Sequence, residues 1–401
     1  MMKSLFIFCL GGLLPLMAQS VVTNGSTHLG YTLSLIEQIR FGGEDAGEDY
    51  LWSGGKTDIA VTDQGNILVG DNNTTEVRLF DQKGTFLRKV ASKGEGPGEL
   101  RAFGSMQVLG DGRLVIFDKA AGAAPRFHFF DKNLTYVETE APVNFSNLPV
   151  TAEFSPSGNY YKGLIISFKQ EEKIINNKIA IMGRGFTLKK ELSSFNQPMG
   201  NMRSREPKDL AFTISGFMQG AFSGVGVAIF DDKNQLYTAY SPKYEITRWS
   251  SDLQTKQLVF NRKYKPIANP DTEVRAVAAR ISENFRRGGM LDSVSDTFLS
   301  RVVDQTEVPQ AKLPIFGMIS MPGYLLVIHD IQEITGIQVA DIFDNQGKYI
   351  GQVTRPNWGI VSPRRVPRLI FRNDLVYALE TDAEDNNTVA VYSYKLTKAS
   401  K

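Results

Sequence analysis

One pattern returns along this chain: a polar turn that usually ends in glycine, an apolar strand-like run, and a polar residue at the end of the run. It is clearest in TDQGNILVGD (Thr62 to Asp71) and LGDGRLVIFD (Leu109 to Asp118). Looser copies are SPSGNYYKGL (Ser155 to Leu164), DDKNQLYTAY (Asp231 to Tyr240), SMPGYLLVIH (Ser320 to His329) and FRNDLVYALE (Phe371 to Glu380). A second hairpin travels with the first. It is plain in VRLFDQKGTFLRKV (Val77 to Val90), FHFFDKNLTYVET (Phe127 to Thr139), ITRWSSDLQTKQLVF (Ile246 to Phe260) and ADIFDNQGKYIGQV (Ala340 to Val353), and weaker in IAIMGRGFTLKKEL (Ile179 to Leu192) and VAVYSYKLTK (Val389 to Lys398). Each unit therefore holds four strands. Four-stranded repeats of about 40–50 residues are the blades of a β-propeller, so the chain is expected to be all-β with six blades.

The last unit is one strand short. YTLSLIEQIR (Tyr31 to Arg40) supplies it, because this run and the Gly/Glu loop after it repeat the layout of TFLRKVASKGEGPGEL (Thr85 to Leu100). An N-terminal strand that completes blade six closes the ring and leaves few sheet edges exposed. The propeller domain is thus expected over 31–398. Extra loop is expected between blades three and four. Between Pro266 and Pro309 the strand pattern stops, and Val274, Val277, Ala278, Ile281 and Phe285 form a helical stripe. Leu291, Val294, Phe298 and Val302 suggest a second short helix, giving a helical insertion at about 270–307 between blades four and five. Its apolar stripe must bury itself, either on the side or face of the propeller or as a lid over the central mouth.

The start of the chain reads differently. Met1-Met2-Lys3, the apolar run Leu5 to Leu14 and Ala18-Gln19-Ser20 have the layout of a signal peptide spanning 1–20. The expected mature protein is exported to the periplasm or cell exterior, soluble and without a transmembrane segment. Its leader, with His28, is expected to be loose. The only cysteine, Cys9, lies in the signal segment, so disulfides and thiolate chemistry are excluded from the mature chain. Forty-five basic against forty-three acidic side chains give a net charge of +2, which offers no field for nucleic acid.

The Gly-x-Gly-Pro-Gly-Glu stretch, DGRLVIFD and the aromatic-Asp turn together look like an NHL-type repeat. From Tyr31 to Lys398 the chain resembles secreted bacterial six-bladed β-propeller proteins with NHL-like blades. That resemblance implies the fold and leaves the activity open, since related propellers include binding modules, calcium-dependent lactonases and lyases.

Two residue sets carry candidate chemistry. Aligning the repeats brings Asp71, Asp118, Leu164, Tyr240, His329 and Glu380 to equivalent strand ends. Of these, Asp71, Asp118, His329 and Glu380 are metal candidates, and calcium is the cation such oxygen ligands would hold. The alternative is that each acid caps the next turn. Leu164 and Tyr240 interrupt the set. The second set is basic: Arg101, Arg203, Arg205, Arg355, Arg364, Arg365 and Arg368, with Trp358 nearby. Guanidinium forks suit carboxylates, phosphates or sulfated sugars, unless ion pairs with Glu44, Asp45, Glu48, Glu95 and Glu99 consume them. His128 alternates with apolar residues and reads as a packing residue.

KGEGPGEL (Lys93 to Leu100) is not a phosphate loop: Glu99-Leu100 stands where Lys-Ser/Thr would be needed, and strands flank it. It marks a blade junction. The leading expectation is a non-enzymatic binding or protein-interaction module whose small ligand, glycan or protein partner sits over the central mouth. The alternatives are a metal-assisted hydrolase or lyase at that mouth, and a purely structural disc.

Overall fold

The computed structural model describes residues 19–43, 46–50, 52, 57–143, 145–169, 171–198, 206–287, 295–356, 369–381 and 387–398. Two strands come first, β1 (Ser20–Asn24) and β2 (Tyr31–Gly42). Blade one is β3 (Thr57–Val61), β4 (Ile67–Asp71), β5 (Glu76–Phe80) and β6 (Phe86–Ala91). Blade two is β7 (Phe103–Val108), β8 (Leu114–Asp118), β9 (Arg126–Phe130) and β10 (Tyr136–Glu140). Blade three is β11 (Pro149–Phe154), β12 (Tyr160–Lys169), β13 (Ile174–Gly183) and β14 (Thr187–Pro198), and helix α1 (Pro207–Phe222) follows it. Blade four is β15 (Gly226–Phe230), β16 (Leu236–Tyr240), β17 (Glu245–Trp249) and β18 (Lys256–Arg262). Helices α2 (Asp271–Arg287) and α3 (Asp296–Gln305) precede blade five. Blade five is β19 (Gly317–Met321), β20 (Tyr324–Ile331), β21 (Ile337–Asp344) and β22 (Tyr349–Pro356). Blade six is β23 (Leu369–Arg372), β24 (Leu375–Thr381), β25 (Asn387–Lys398) and, as its outer strand, β2.

Each blade is an antiparallel meander, and first strands of neighbouring blades touch: β3 with β7, β7 with β11, β15 with β19, β19 with β23, and β23 with β3. The cores lie between blades. Leu68, Met106 and Ile116 join blades one and two, and Phe127, Phe154 and Tyr161 join two and three. Ile181 and Phe230 join three and four, and Phe260 and Phe343 join four and five. Leu33 and Ile342 join five and six, and Val69 and Tyr377 join six and one. This explains the sequence pattern. Second strands such as ILVGD and LVIFD are buried on both faces and read as unbroken apolar runs. Outer strands such as FLRKVA face water along their middle, where Leu87, Arg88 and Lys89 are exposed.

The recurring aspartate of the outer hairpins has a local cause. Oδ1 of Asp81 accepts from the N–H groups of Lys83 and Thr85, both at 2.8 Å. Asp131 and Asp344 repeat this with Asn133 and Thr135, and with Gln346 and Lys348. The third residue after each aspartate has a positive φ: Gly84 at 83°, Leu134 at 63° and Gly347 at 76°. Glycine takes that conformation freely, which is why Asp-x-x-Gly recurs.

The expected closure is present: β2 pairs antiparallel with β25 from Tyr31↔Lys398 to Gly42↔Thr388. The leader before it is not loose. β1 lies parallel on β18 as a fifth strand of blade four. Asn24 Nδ2 then donates to the carbonyls of Asn261 (2.8 Å) and Gly347 (2.9 Å), and its Oδ1 accepts from Tyr349 N (2.9 Å). The His28 ring stands edge-on to Tyr349, 5.5 Å between centroids. At Gly351 a side chain is impossible, because a Cβ would sit 2.2 Å from the Tyr31 carbonyl oxygen. Residues 20–42 therefore run as a strap along the outer edges of blades four, five and six.

The helical insertion is also present, with one difference. The link between blades three and four contains a full helix, α1, where only loop was expected. Leu210, Ile214 and Met218 of α1 meet Val274, Val277, Ala278 and Ile281 of α2 and Leu299 and Val302 of α3 in one core. The stripe on α2 is thus buried against another helix. Leu291 and Val294 lie outside the described residues, as does the side chain of Phe285.

Replacing Asn24 with alanine removes three hydrogen bonds that hold the strap to two blades. We expect a loss of about 1–3 kcal/mol, because the groups left behind are partly buried. A denaturation midpoint unchanged from wild type would show that the strap contributes nothing to ring stability.

Candidate functional site

In every blade the first strand starts, and the second ends, at the end of the sheet where neighbouring blades are linked. Asp71, Asp118, His329 and Glu380 lie at or near that end of their strands. They are not brought together: among the described residues, no three acidic, histidine or cysteine side chains converge on one point. Each is engaged within its own surroundings. Asp71 accepts from the N–H groups of Asn73 (3.2 Å) and Thr74 (3.4 Å) and shapes the turn into β5. Glu380 accepts from Tyr392 Oη at 2.8 Å and pairs with Arg40 at 2.8 Å. Arg203, Arg205, Trp358, Arg364, Arg365 and Arg368 lie outside the described residues, as does the side chain of Arg355.

Asp118 is fully buried and organises the junction of blades one and two. Its carboxylate accepts from Ala102 N (2.9 Å), Arg101 N and Nε (both 3.3 Å) and Arg126 Nε (2.6 Å), and it meets His128 Nε2 at 3.3 Å. Burial alone would raise its pKa. The His128 contact, the backbone donors and the guanidinium groups outweigh burial and hold the carboxyl well below the usual range. Arg101 spends its remaining reach on the Ala124 carbonyl at 2.8 Å. His128 is also buried and bonds Thr139 Oγ1 through Nδ1 at 2.9 Å. The adjoining KGEGPGEL loop closes on itself: Gly94 N donates to Leu100 O, and Gly96 N to Glu99 Oε2.

A second buried carboxylate, Asp341, lies between blades four and five. It accepts from Tyr244 Oη, Arg262 Nε, Tyr349 Oη (3.0 Å) and Gln352 Nε2 (3.2 Å), with His329 Nε2 at 3.3 Å. The Arg262 guanidinium lies over the rings of Tyr244, Tyr264 and Tyr349 at 4.9–5.2 Å. Burial opposes ionisation of Asp341, yet His329, Arg262 and Tyr244 hold its carboxyl below the usual range. Burial, and then the Asp341 charge, push the Tyr244 hydroxyl well up. His329 reaches this cluster because it is the extra residue of a β-bulge: Ile328 pairs with Ala340 and Asp330 with Val339.

The bulge sends the next residue elsewhere. Asp330 Oδ1 accepts from Lys312 Nζ at 2.8 Å, and Lys312 also donates to the Ile331 carbonyl at 2.6 Å. On the facing side of α2, Arg280 makes a two-pronged pair with Glu333 at 3.1 and 3.2 Å. Glu273 Oε2 accepts from Glu333 N at 2.6 Å. The neck of the insertion is a short antiparallel ladder, Asn269 N to Gln310 O and Lys312 N to Ile267 O, both 2.9 Å. These contacts fasten α2 to the β20–β21 turn and leave a cleft between them. Ala221, Phe222, Val277, Leu313, Phe316 and Ile331 form its apolar wall, with Asn269, Glu273, Arg280, Lys312 and Glu333 around them. The cleft measures about 520 Å³ including its open side. Sequence reading missed it. The available signal was Glu273, Val277 and Arg280 at i, i+4 and i+7, one charged helix face aimed at blade five.

The Asp118 cluster makes a pH-dependent prediction. A carboxyl depressed by folding stabilises fully above its unfolded pKa of about 3.9, and that contribution is lost as pH falls through the folded value. Asp118→Asn leaves buried cations without their counter-charge and should cost about 3 kcal/mol at neutral pH. The gap to wild type should narrow below pH ~4. Denaturant titrations at several pH values read this; a gap independent of pH would contradict the assignment.

No curated protein matches the chain. Among solved structures, a Bacteroides fragilis protein named as exported shares 9% identity over 94% of this chain and 100% of its own, with a TM-score of 0.46. A Bacteroides vulgatus member of the duf4221 family shares 10% identity over 93% of this chain and 100% of its own, at 0.48. The virginiamycin B lyase of Staphylococcus aureus shares 9% identity over 90% of this chain and 99% of its own, at 0.38. Residues 53–173 match the family model DUF5128, described as 6-bladed beta-propeller. With six four-stranded blades closed by its own N-terminal strand, the chain is a six-bladed β-propeller of that description.

Proposed function

We propose that this protein is an exported, non-enzymatic binding module that holds a small ligand in the cleft between the helical insertion and blade five. The observation that carries this reading is the cleft itself. It is concave, largely apolar and provided with a few placed polar groups, which is the usual make-up of a ligand site. It lies where links between blades emerge, so the rigid propeller positions it. The ion pairs across it, Arg280 with Glu333 and Lys312 with Asp330, are mutually neutralised and suit holding a ligand. Asp71, Asp118 and Glu380 serve the fold in this reading, through turn shape and ion pairs.

Export is supported by the basic start, the apolar run Leu5 to Leu14 and the small residues Ala18 and Ser20 where β1 begins. No described helix is long and apolar enough to cross a membrane.

Two measurements test the proposal. The intact mass of protein recovered outside the cytoplasm of a bacterial host should correspond to a chain starting near residue 20. Full-length protein held in the cytoplasm would contradict export. Elemental analysis should find no stoichiometric calcium, and millimolar calcium or chelator should leave the melting temperature unmoved. A calcium-dependent rise of several degrees would favour the metal-assisted reading instead.

A further inference from the structure

The charged groups at the cleft are not all satisfied, and those left over define a ligand. Lys312 is nine-tenths buried and has three N–H donors. Two are used, on Asp330 at 2.8 Å and Ile331 O at 2.6 Å. The third has only Glu273 Oε2, at 3.8 Å, beyond hydrogen-bond range. Glu273 Oε2 is already taken by Glu333 N, and Glu273 Oε1 meets no donor among the described residues. A buried ammonium and a nearby carboxylate thus pair by charge at 3.8 Å with no hydrogen bond between them. Their neighbours on the same cleft are Phe222, Val277, Leu313 and Phe316. Leu313 is half-buried and belongs to none of the apolar cores, so its contacts are left for an occupant.

The charge count narrows the class. Arg280 and Lys312 are two cations and Glu273 and Glu333 two carboxylates, so the wall is neutral overall. A ligand with a net charge would unbalance it. A zwitterion would not: its carboxylate accepts from the spare Lys312 donor, and its ammonium donates to Glu273. An α-amino acid carries these two charges close together, on the scale of the Lys312–Glu273 gap. Its side chain would enter the apolar part of the cleft, against Phe222, Val277, Leu313 and Phe316.

Resting on the reading of this cleft as a binding site, we infer that its ligand class is the free α-amino acid with an apolar side chain, bound as a zwitterion. Isothermal titration and thermal shift test this with the whole protein and four probes: L-leucine, 4-methylpentanoate (no ammonium), isoamylamine (no carboxylate) and glycine (no apolar body). Leucine should bind at least about tenfold more tightly than each of the others, since two lack a charged group that the cleft pairs and glycine lacks the apolar body that it buries. Leu313→Trp, which fills the cleft, should abolish binding. Glu273→Gln should weaken leucine about tenfold and shrink its advantage over 4-methylpentanoate, while leaving the melting profile cooperative. Leucine binding no better than 4-methylpentanoate, or undiminished in Leu313→Trp, overturns the inference. If apolar amino acids fail but another compound binds and is lost in Leu313→Trp, the ligand class falls and the binding site stands. If a broad small-molecule screen finds nothing that Leu313→Trp displaces, both fall.

Discussion

The fold depends on a seam between its two ends. β25 is an edge strand until β2 is laid along it, and without β2 the sixth blade has three strands and an open ladder of N–H and C=O groups. Every apolar interface in the ring has blades on both sides, so a ring that does not close leaves one such face to water. Leu33 of β2 is buried with Ile319, Leu326 and Ile342 of blade five, which shows how the closing strand also serves the neighbouring interface. The hydrogen bonds of the seam give register. The burial gives most of the stabilisation, about 25 cal/mol per Å² of apolar surface removed from water.

Around this apolar frame, charge is concentrated where blades meet at their linked end. Asp118 holds the incoming backbone of β7 through Ala102 and Arg101, so the carboxylate fixes where blade two begins relative to blade one. Asp341 does the equivalent between blades four and five, drawing Arg262 and two tyrosines onto one buried charge. Isolated buried charges are costly, and these are tolerated because their lone pairs are met by donors. The same economy explains the helical insertion. Its apolar side is satisfied by α1, and its charged side by blade five, so the cleft is the residue of two docking surfaces that do not fully meet.

Much of the fold was legible because strands, turns and breaks each leave a local mark. TDQGNILVGD and LGDGRLVIFD contain both the turn and the buried strand, and Tyr31 to Arg40 matched an outer strand in its length and following loop. Helix α1 was missed although Leu210, Ile214 and Met218 have helical spacing. Gly216 and Gly220 break its propensity, and Gly216 is there because α1 crosses so near the Pro198 carbonyl that a Cβ would sit 2.1 Å away. The site was far less legible. A carboxylate at a strand end looks the same whether it meets a cation or an arginine, and Arg101 and Arg126 reach Asp118 from opposite sides in sequence. His329 and Asp330 are adjacent in sequence yet serve different clusters, because a bulge unpairs one of them. The cleft depends on partners 53 and 60 residues apart, a separation that no local pattern encodes.

The strap has a consequence for the order of assembly. Residues 20–42 precede all six blades in sequence, yet their partners are β18, β22 and β25, the last of which ends at Lys398. The β2–β25 contacts, such as Tyr31↔Lys398, span nearly the whole propeller, so closing that loop carries a large entropy cost and comes late. Blades one to three can form while the chain is still emerging. Blade six keeps the edge of β25 bare until the N-terminal segment returns to it. The ring is therefore complete only when β25 and the returning N-terminal strap have met.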